Sequence, residues 1–439
     1  MKSAAHNIMA MILLRCKISS LFLVLTAALL FAGTVQADEQ LTWEECLMQA
    51  SQHHPDLVSA KEGIRQSQDA KAINSSGLWP QIGASAGITK SIAHNASSVK
   101  SSSSEYSYGL SGSQLLFDGF KTINNVKASQ ENIKASQWNF QFVSSETRLN
   151  LRTAFVNLLK AQELVKLTVE IRDIRKQNLD LITLRYNSGT EHKGALLTAQ
   201  ANLAESEFEI HQAGRSLLVA QRALLKEIGS KTIEPVAVTG NFDIQAKYIE
   251  TPDFEHSAKD NPQLLKLAMQ INAASFNVKS NKGDFWPAVS LIGGTGKSDN
   301  NWPPKADSSD VGIKLSWSLL EGGSRLSSVD QAKSVVRDLQ AQQQSLNDKV
   351  VVALEQAWST LEDTIEQVGV QKKFLEAVEE RAKIAQQQYS VGLISYDNWT
   401  IIEDDLVSNK KTFLNIETNA LVAEAKWIEA QGRNLEYAS

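Results

Sequence analysis

From Lys121 to Tyr186 the chain runs 66 residues without a glycine or a proline, and the stretch from Ser324 to Tyr389 repeats this with Gly369 as its only interruption. Proline breaks a helix interior and glycine weakens it, so two such stretches are written as very long helices. Their apolar residues keep helical spacing: Leu151, Phe155, Leu158 and Val165 in the first, Leu354, Trp358, Leu361 and Val368 in the second. At about 1.5 Å per residue each helix spans about 100 Å, several times an ordinary globular helix.

The two stretches belong to a wider duplication. HPDLVSAKEGI at His54 matches NPQLLKLAMQI at Asn261, and LWPQIGASAGITKS at Leu78 matches FWPAVSLIGGTGKS at Phe285, both 207 residues apart. LLFDGF at Leu115 matches SLLEGG at Ser318, and RYNSG at Arg185 matches QYSVG at Gln388, now 203 apart. The spacing predicts one unit at residues 38–228, an irregular link between the copies over 229–252 carrying Pro235, Gly240 and Pro252, and a second unit at 253–439. Shorter helical stretches, about Thr42 to Ser76 and Lys193 to Ile228, together match the long helix in length and suit stacking end to end beside it. The turn at the far end of each strut is Tyr186-Asn187-Ser188-Gly189 and its twin Tyr389-Ser390-Val391-Gly392, where glycine suits a helix cap.

Four strands are predicted, at 80–92, 105–117, 287–297 and 309–320. Ile82, Ala84, Ala86 and Ile88 alternate with Gln81, Gly83, Ser85 and Gly87, and Tyr106, Tyr108 and Leu110 alternate with Ser107, Gly109 and Ser111. Val311, Ile313, Leu315, Trp317 and Leu319 alternate with Gly312, Lys314, Ser316 and Ser318. A half-buried soluble hairpin alternates in the same way. Small hydroxyl and Gly residues opposite Tyr and Trp favour a barrel with a wet lumen, which predicts Tyr106, Tyr108, Leu110, Val311 and Ile313 towards lipid. Four strands cannot close a barrel, and an open edge in lipid leaves backbone groups unpaired. Two, three or four chains give 8, 12 or 16 strands, and this argument alone does not choose.

The N-terminal 37 residues carry Lys2, Arg15 and Lys17, then the apolar run Leu21 to Ala32, then Val35-Gln36-Ala37. That is the pattern of a secretory signal peptide cleaved before Asp38, the run being too short for a spanning helix. Cys16 precedes the run, out of place for a lipidated cysteine. Without the signal, 41 Lys and Arg face 49 Asp and Glu, an acidic balance that argues against nucleic acid. Only Cys46 remains, which excludes an intrachain disulfide and any cysteine metal cluster, and Met48 and Met269 are too few for a thioether relay.

Two chemical motifs are decoys. LIGGTGKS at Leu291 lacks the leading glycine of a phosphate-binding loop and is followed by DNNWPPKADSSD, which forms no helix. Cys46 and His53 share a helical face beside His54, which a buried thiol and helix-end histidines explain without a metal. No nucleophile elbow, HExxH or acid pair with a partner base emerges, so no enzyme and no cofactor is expected.

Together, the repeat, the Trp79-Pro80 and Trp286-Pro287 strand entries, the FDG and LEG exits and the two Tyr-x-x-Gly tips resemble the TolC-like outer-membrane efflux and type I secretion ducts, over the whole mature chain. The resemblance implies a mainly α fold with a membrane β-barrel part. It implies a homotrimer with a 12-stranded barrel and a 12-helix tunnel across the periplasm. Tips at Tyr186, Gly189, Tyr389, Gly392 and Leu393 would meet a periplasmic adaptor coupled to an inner-membrane pump of the RND or ABC type. The family's entrance acids follow the second tip, where this chain offers Asp397, Asp404 and Asp405, with Glu403 beside them. The chain departs from the family pattern at Ile401, where some members carry an acid, and at Ile394, where some carry an arginine. The competing reading is a periplasmic adaptor or coiled-coil scaffold without a pore, since these also use long hairpins.

Overall fold

The computed structural model describes residues 40–94, 100–231, 234–244 and 251–436; the signal-peptide expectation lies outside these. The two long stretches are single helices, α3 (Lys121–Asn187) and α7 (Ser324–Ser390), each 67 residues. Ahead of α3 come β1 (Gln40–Leu41), α1 (Trp43–His53), α2 (Pro55–Ser76), β2 (Gln81–His94) and β3 (Lys100–Phe117). After it come α4 (Lys193–Glu227) and β4 (Ala237–Val238). The second unit holds α5 (Phe254–Ala258), α6 (Pro262–Gly283), β5 (Ala288–Asp299), β6 (Ala306–Ser316), α7 and α8 (Tyr396–Ala430).

The predicted helix over 42–76 is two helices. Pro55 has no N–H to continue α1, so the chain turns at His54, whose Nδ1 accepts the Asp56 N–H and caps α2. Asn261 and Pro262 do the same for α6. Thr42 and Glu45 form a reciprocal cap that starts α1.

As expected from their lengths, α2 and α4 both pack along α3, and α6 and α8 along α7. Ser67 and Ser136 hydroxyls meet at 2.7 Å on the upper half of α3, while Ala195 and Ala199 of α4 pack with Ile182 near its lower end. The apolar stripes form the waist. Leu151, Phe155 and Leu158 cluster with Leu57 and Leu224, and their mates Leu354, Trp358 and Leu361 cluster with Leu264 and Trp427. Val165 and Val368 are half-buried. β1 and β4 pair in parallel at this level, and Gln162 of α3 holds β4 by bonding both the N–H and the carbonyl of Val238.

The two units join through α3, which packs on α6 above and α8 below. The strands form one antiparallel sheet in the order β2-β3-β5-β6, with β2 and β6 at its edges. β3 begins five residues earlier than expected and β6 ends at Ser316 rather than residue 320. LIGGTGKS lies inside β5, so no loop cradles a phosphate there.

Candidate functional site

Opposite residues in an antiparallel sheet share a face, so the register decides which side chains stand together. Ala84 pairs Leu110, Ala86 pairs Tyr108 and Ile88 pairs Tyr106. Leu110 pairs Thr295, which pairs Ser309, and Gly112 pairs Gly293, which pairs Val311. All five lipid-face candidates, Tyr106, Tyr108, Leu110, Val311 and Ile313, therefore lie on one face; Ser107, Ser111, Gly312 and Lys314 lie on the other. Val311 is 84% exposed, Ile313 71% and Ile82 80%, a large apolar surface without cover in the single chain.

The ion pair Lys297–Asp307, 3.0 Å, stands on the same face opposite Tyr108. Its place follows from the strand stagger. A row of partners starting at Ala86 reaches β5 at Lys297, and the repeat mate of Lys297 is Lys90, four residues further along its strand. Lys90 and Lys297 thus mark one level above the apolar band, with Tyr106 and Trp302 in ring contact at that border. Trp79 and Trp286 stand at the opposite border, at the helix ends. Eleven residues of tilted strand between them give about 25 Å of height, the same height as the apolar band that membrane β-barrels carry between two aromatic girdles.

The other end of the molecule is the pair of helical turns. Gly189 and Gly392 have φ of +75° and +79°, and the next N–H reaches back five residues, Thr190 to the Arg185 carbonyl and Leu393 to that of Gln388, both 2.9 Å. This is a left-handed helix cap that glycine adopts without strain. The two tips are unlike. Tyr186 is 37% exposed, whereas Tyr389 is 1% exposed, stacked on Trp399 at 4.5 Å and closed in by Tyr396. Its hydroxyl donates to Glu191 at 2.8 Å, and Arg185 donates to its carbonyl at 2.9 Å while lying over its ring. Burial first, then Glu191, pushes the Tyr389 hydroxyl well above the usual phenol range. Tyr389 therefore braces the tip from within, and the exposed surface is Gly392, Leu393, Gly189 and Tyr186.

The acidic candidates also separate. Asp397 is exposed in the first turn of α8. Asp404 bonds Arg175 of α3 at 2.5 Å, and Asp405 lies 3.6 Å from Arg381 of α7. Glu403 is buried, and burial raises its carboxyl above the ordinary range despite Arg175 and Asn178 nearby. Lys410 to Glu170 and Lys411 to Glu209 add ties between the hairpins α7–α8 and α3–α4. The sequence reading missed Arg175, Arg185, Glu191 and Trp399. The repeat carried a signal for Trp399: copy two has Tyr396 and Trp399 where copy one has Lys193 and Leu196.

The decoys resolve as structural residues. Cys46 is wholly buried in the waist, and burial first, then Glu45 and Glu44, pushes its thiol up to about 12. His54 bonds Glu227 at 3.4 Å. Among the described residues no group of three metal-ligating side chains converges, and no helix is long and apolar enough to cross a membrane.

The model of the outer membrane efflux protein family matches residues 46–230 and again 255–433, the two units of the duplication. The chain belongs to the outer membrane efflux protein family. This sets aside the adaptor or scaffold reading and makes the chain an outer-membrane protein reaching into the periplasm. The outer membrane efflux protein BepC of Brucella suis is 22% identical over 93% of this chain and 90% of its own length. The alkaline protease secretion protein AprF of Pseudomonas aeruginosa is 26% identical over 56% of this chain and 52% of its own. Among solved structures, the Campylobacter jejuni CmeC outer membrane channel superposes with a TM-score of 0.80 at 17% identity, over 90% of this chain and 86% of CmeC. A CusC structure gives 0.78 at 18% identity, over 88% and 91%. The efflux-protein fold is thus mainly α with a membrane β part, in two tandem repeats.

Proposed function

We propose that this protein is the exit duct of a tripartite efflux or type I secretion system. Three copies form a 12-stranded barrel in the outer membrane and a 12-helix tunnel in the periplasm. An inner-membrane pump of the RND or ABC type delivers cargo through a periplasmic adaptor, and the duct itself conducts passively.

The observation that carries this reading is the four-stranded sheet with a bare apolar face and two unpaired edges. In lipid, each unpaired backbone group costs several kcal/mol, so the edges β2 and β6 need partners. Because the strands alternate in direction, β6 of one copy meets β2 of the next antiparallel, and the ring closes without any change of fold. The number three comes with the family resemblance. Tyr106, Tyr108, Leu110, Val311 and Ile313 then face lipid, and the Ser and Gly face lines the lumen. The names of AprF and BepC support both secretion and efflux as the service performed.

At the far end, Gly189, Gly392, Leu393 and Tyr186 form the surface offered to the adaptor. Asp397, Asp404 and Asp405 stand at the tunnel entrance. Imaging of detergent-solubilised protein should give three-fold particles with a tube about 100 Å or longer, the length of α3. A monodisperse monomer extractable without detergent would overturn the reading.

A further inference from the structure

The repeat equivalence is written in the strand register itself. Gln81 pairs Ser113 in the first hairpin and Ala288 pairs Ser316 in the second, so first strands are 207 apart and second strands 203 apart. One seam between the repeats is present inside the chain, β3 against β5, with Tyr108 opposite Lys297 and Leu110 opposite Thr295. The other, β6 against β2, exists only between copies. Resting on the trimeric duct reading above, we infer that the seam between copies repeats the β3–β5 register. Val311 then lies opposite Lys90 of the next copy, Ile313 opposite Ile88, Leu315 opposite Ala86 and Trp317 opposite Ala84.

Three observations support this register. It sets apolar against apolar at Ile313–Ile88, Leu315–Ala86 and Trp317–Ala84, all on the face that carries Val311. It also accounts for where β6 ends. β3 continues to Phe117 although its pairing with β2 stops at Ser113, because residues 114–117 pair with β5 alone. Their mates 317–320 have no such partner in one chain, and β6 stops at Ser316. The neighbour's β2 extends it, with Leu319 as the bulge residue in the place of Leu116, where the β3–β5 register shifts.

The third observation is Gly312. Its φ is ordinary and a Cβ there would meet nothing within 4 Å, so the single chain gives no reason for glycine. Its mate Gly109 has a reason: a Cβ would come within 2.8 Å of the Thr295 carbonyl oxygen and 3.1 Å of the Gly296 Cα across the seam. At the seam between copies Gly312 faces Thr89, the mate of Gly296, so one glycine admits the one side chain present.

The test is disulfide mapping in a Cys46→Ala background, since opposite residues of a ladder lie within bridging range. Ile313→Cys with Ile88→Cys should give covalent dimers and trimers on oxidation, at least tenfold above Ile313→Cys paired with Ala86→Cys or with Lys90→Cys. Native mass measurement is run on each variant. Trimers that bridge best at an offset pair, or at none, overturn the register and leave the duct reading standing; absence of trimers in the Cys46→Ala parent overturns the duct reading itself. Gly312→Ala supplies the second arm: its Cβ meets nothing within 4 Å in the single chain, so the chain should fold and trimer yield should fall severalfold. Normal trimer yield would count against the seam.

Discussion

Cutting the Arg175–Asp404 tie should bias the tunnel entrance towards opening. The pair joins α3 to α8, so any motion that separates the hairpin α7–α8 from α3–α4 must break it. The Arg175 side chain is 10% exposed and that of Asp404 55%, so the pair is half screened by water. It falls between exposed pairs, worth under about 1 kcal/mol, and buried ones, whose rupture costs about 3–5 kcal/mol; about 1.5 kcal/mol per copy is a fair value. That is about tenfold per copy in the opening equilibrium, and about a thousandfold if three copies move together. Asp404→Ala should therefore raise single-channel conductance or open probability in planar bilayers. Salt near 1 M should narrow the difference from the parent, since the Debye length falls to about 3 Å. Asp397→Asn removes a charge at the same end without touching this pair and serves as control. Equal conductance changes in both variants would mean that pore charge, and not the tie, sets the gate; no change in either would remove both from it.

Arginine at Val311 or Ile313 should lower the yield of assembled outer-membrane trimers, at a cost of about 2–4 kcal/mol at mid-bilayer depth and less towards the Lys90 border that Val311 approaches, whereas arginine at Ser111 should not. Glu403 has a raised pKa in the folded chain, so its contribution to stability is whole below about pH 4.5 and is lost as pH rises through the raised value. Glu403→Gln should thus melt above the parent at pH 7, with the gap closing towards pH 4.5; a constant gap would refute the assignment. A bulky charged residue at Gly392 or Leu393 should abolish export while trimers still form and insert. Normal transport with the adaptor still bound would clear the tips of docking, and loss of trimers would mean that the cap at Gly392 dominates.

The long helices, the duplication and the alternating strands were legible because each rests on local rules: where proline falls, and which period the apolar residues keep. The waist was legible too, since Leu151, Phe155 and Leu158 and their mates lie one helical turn apart and reach zero or near-zero exposure in both units. The tip was not. Tyr186 and Tyr389 occupy the same place in the repeat, and it is the neighbours Tyr396 and Trp399, with Arg185 over the ring, that bury one while the other stays exposed. The partner of Asp404 lies 229 residues away on α3, a distance over which no spacing rule operates. Pro55 marks the break at His54, yet the helical spacing of the apolar residues carries across it, so the pattern alone reads as one stretch.

The same duplication explains why two sequence-equivalent helices differ so much in burial. Twenty residues of α3 are buried against eight of α7, because α3 is flanked by the second unit while the corresponding side of α7 faces solvent in one chain. Ile171 is 2% exposed and its mate Phe374 60%, a contrast in setting and not in residue type. Yet the mates are not all apolar: Val156 and Leu159, buried on α3, correspond to Ser359 and Glu362 on α7. A surface that must cross water before meeting its neighbour cannot be as apolar as one that is never bare, because large exposed apolar patches associate indiscriminately. The outer helical face of α7 therefore keeps a few apolar anchors such as Phe374 among polar residues, and leaves the stronger apolar demand to the strands, which enter lipid.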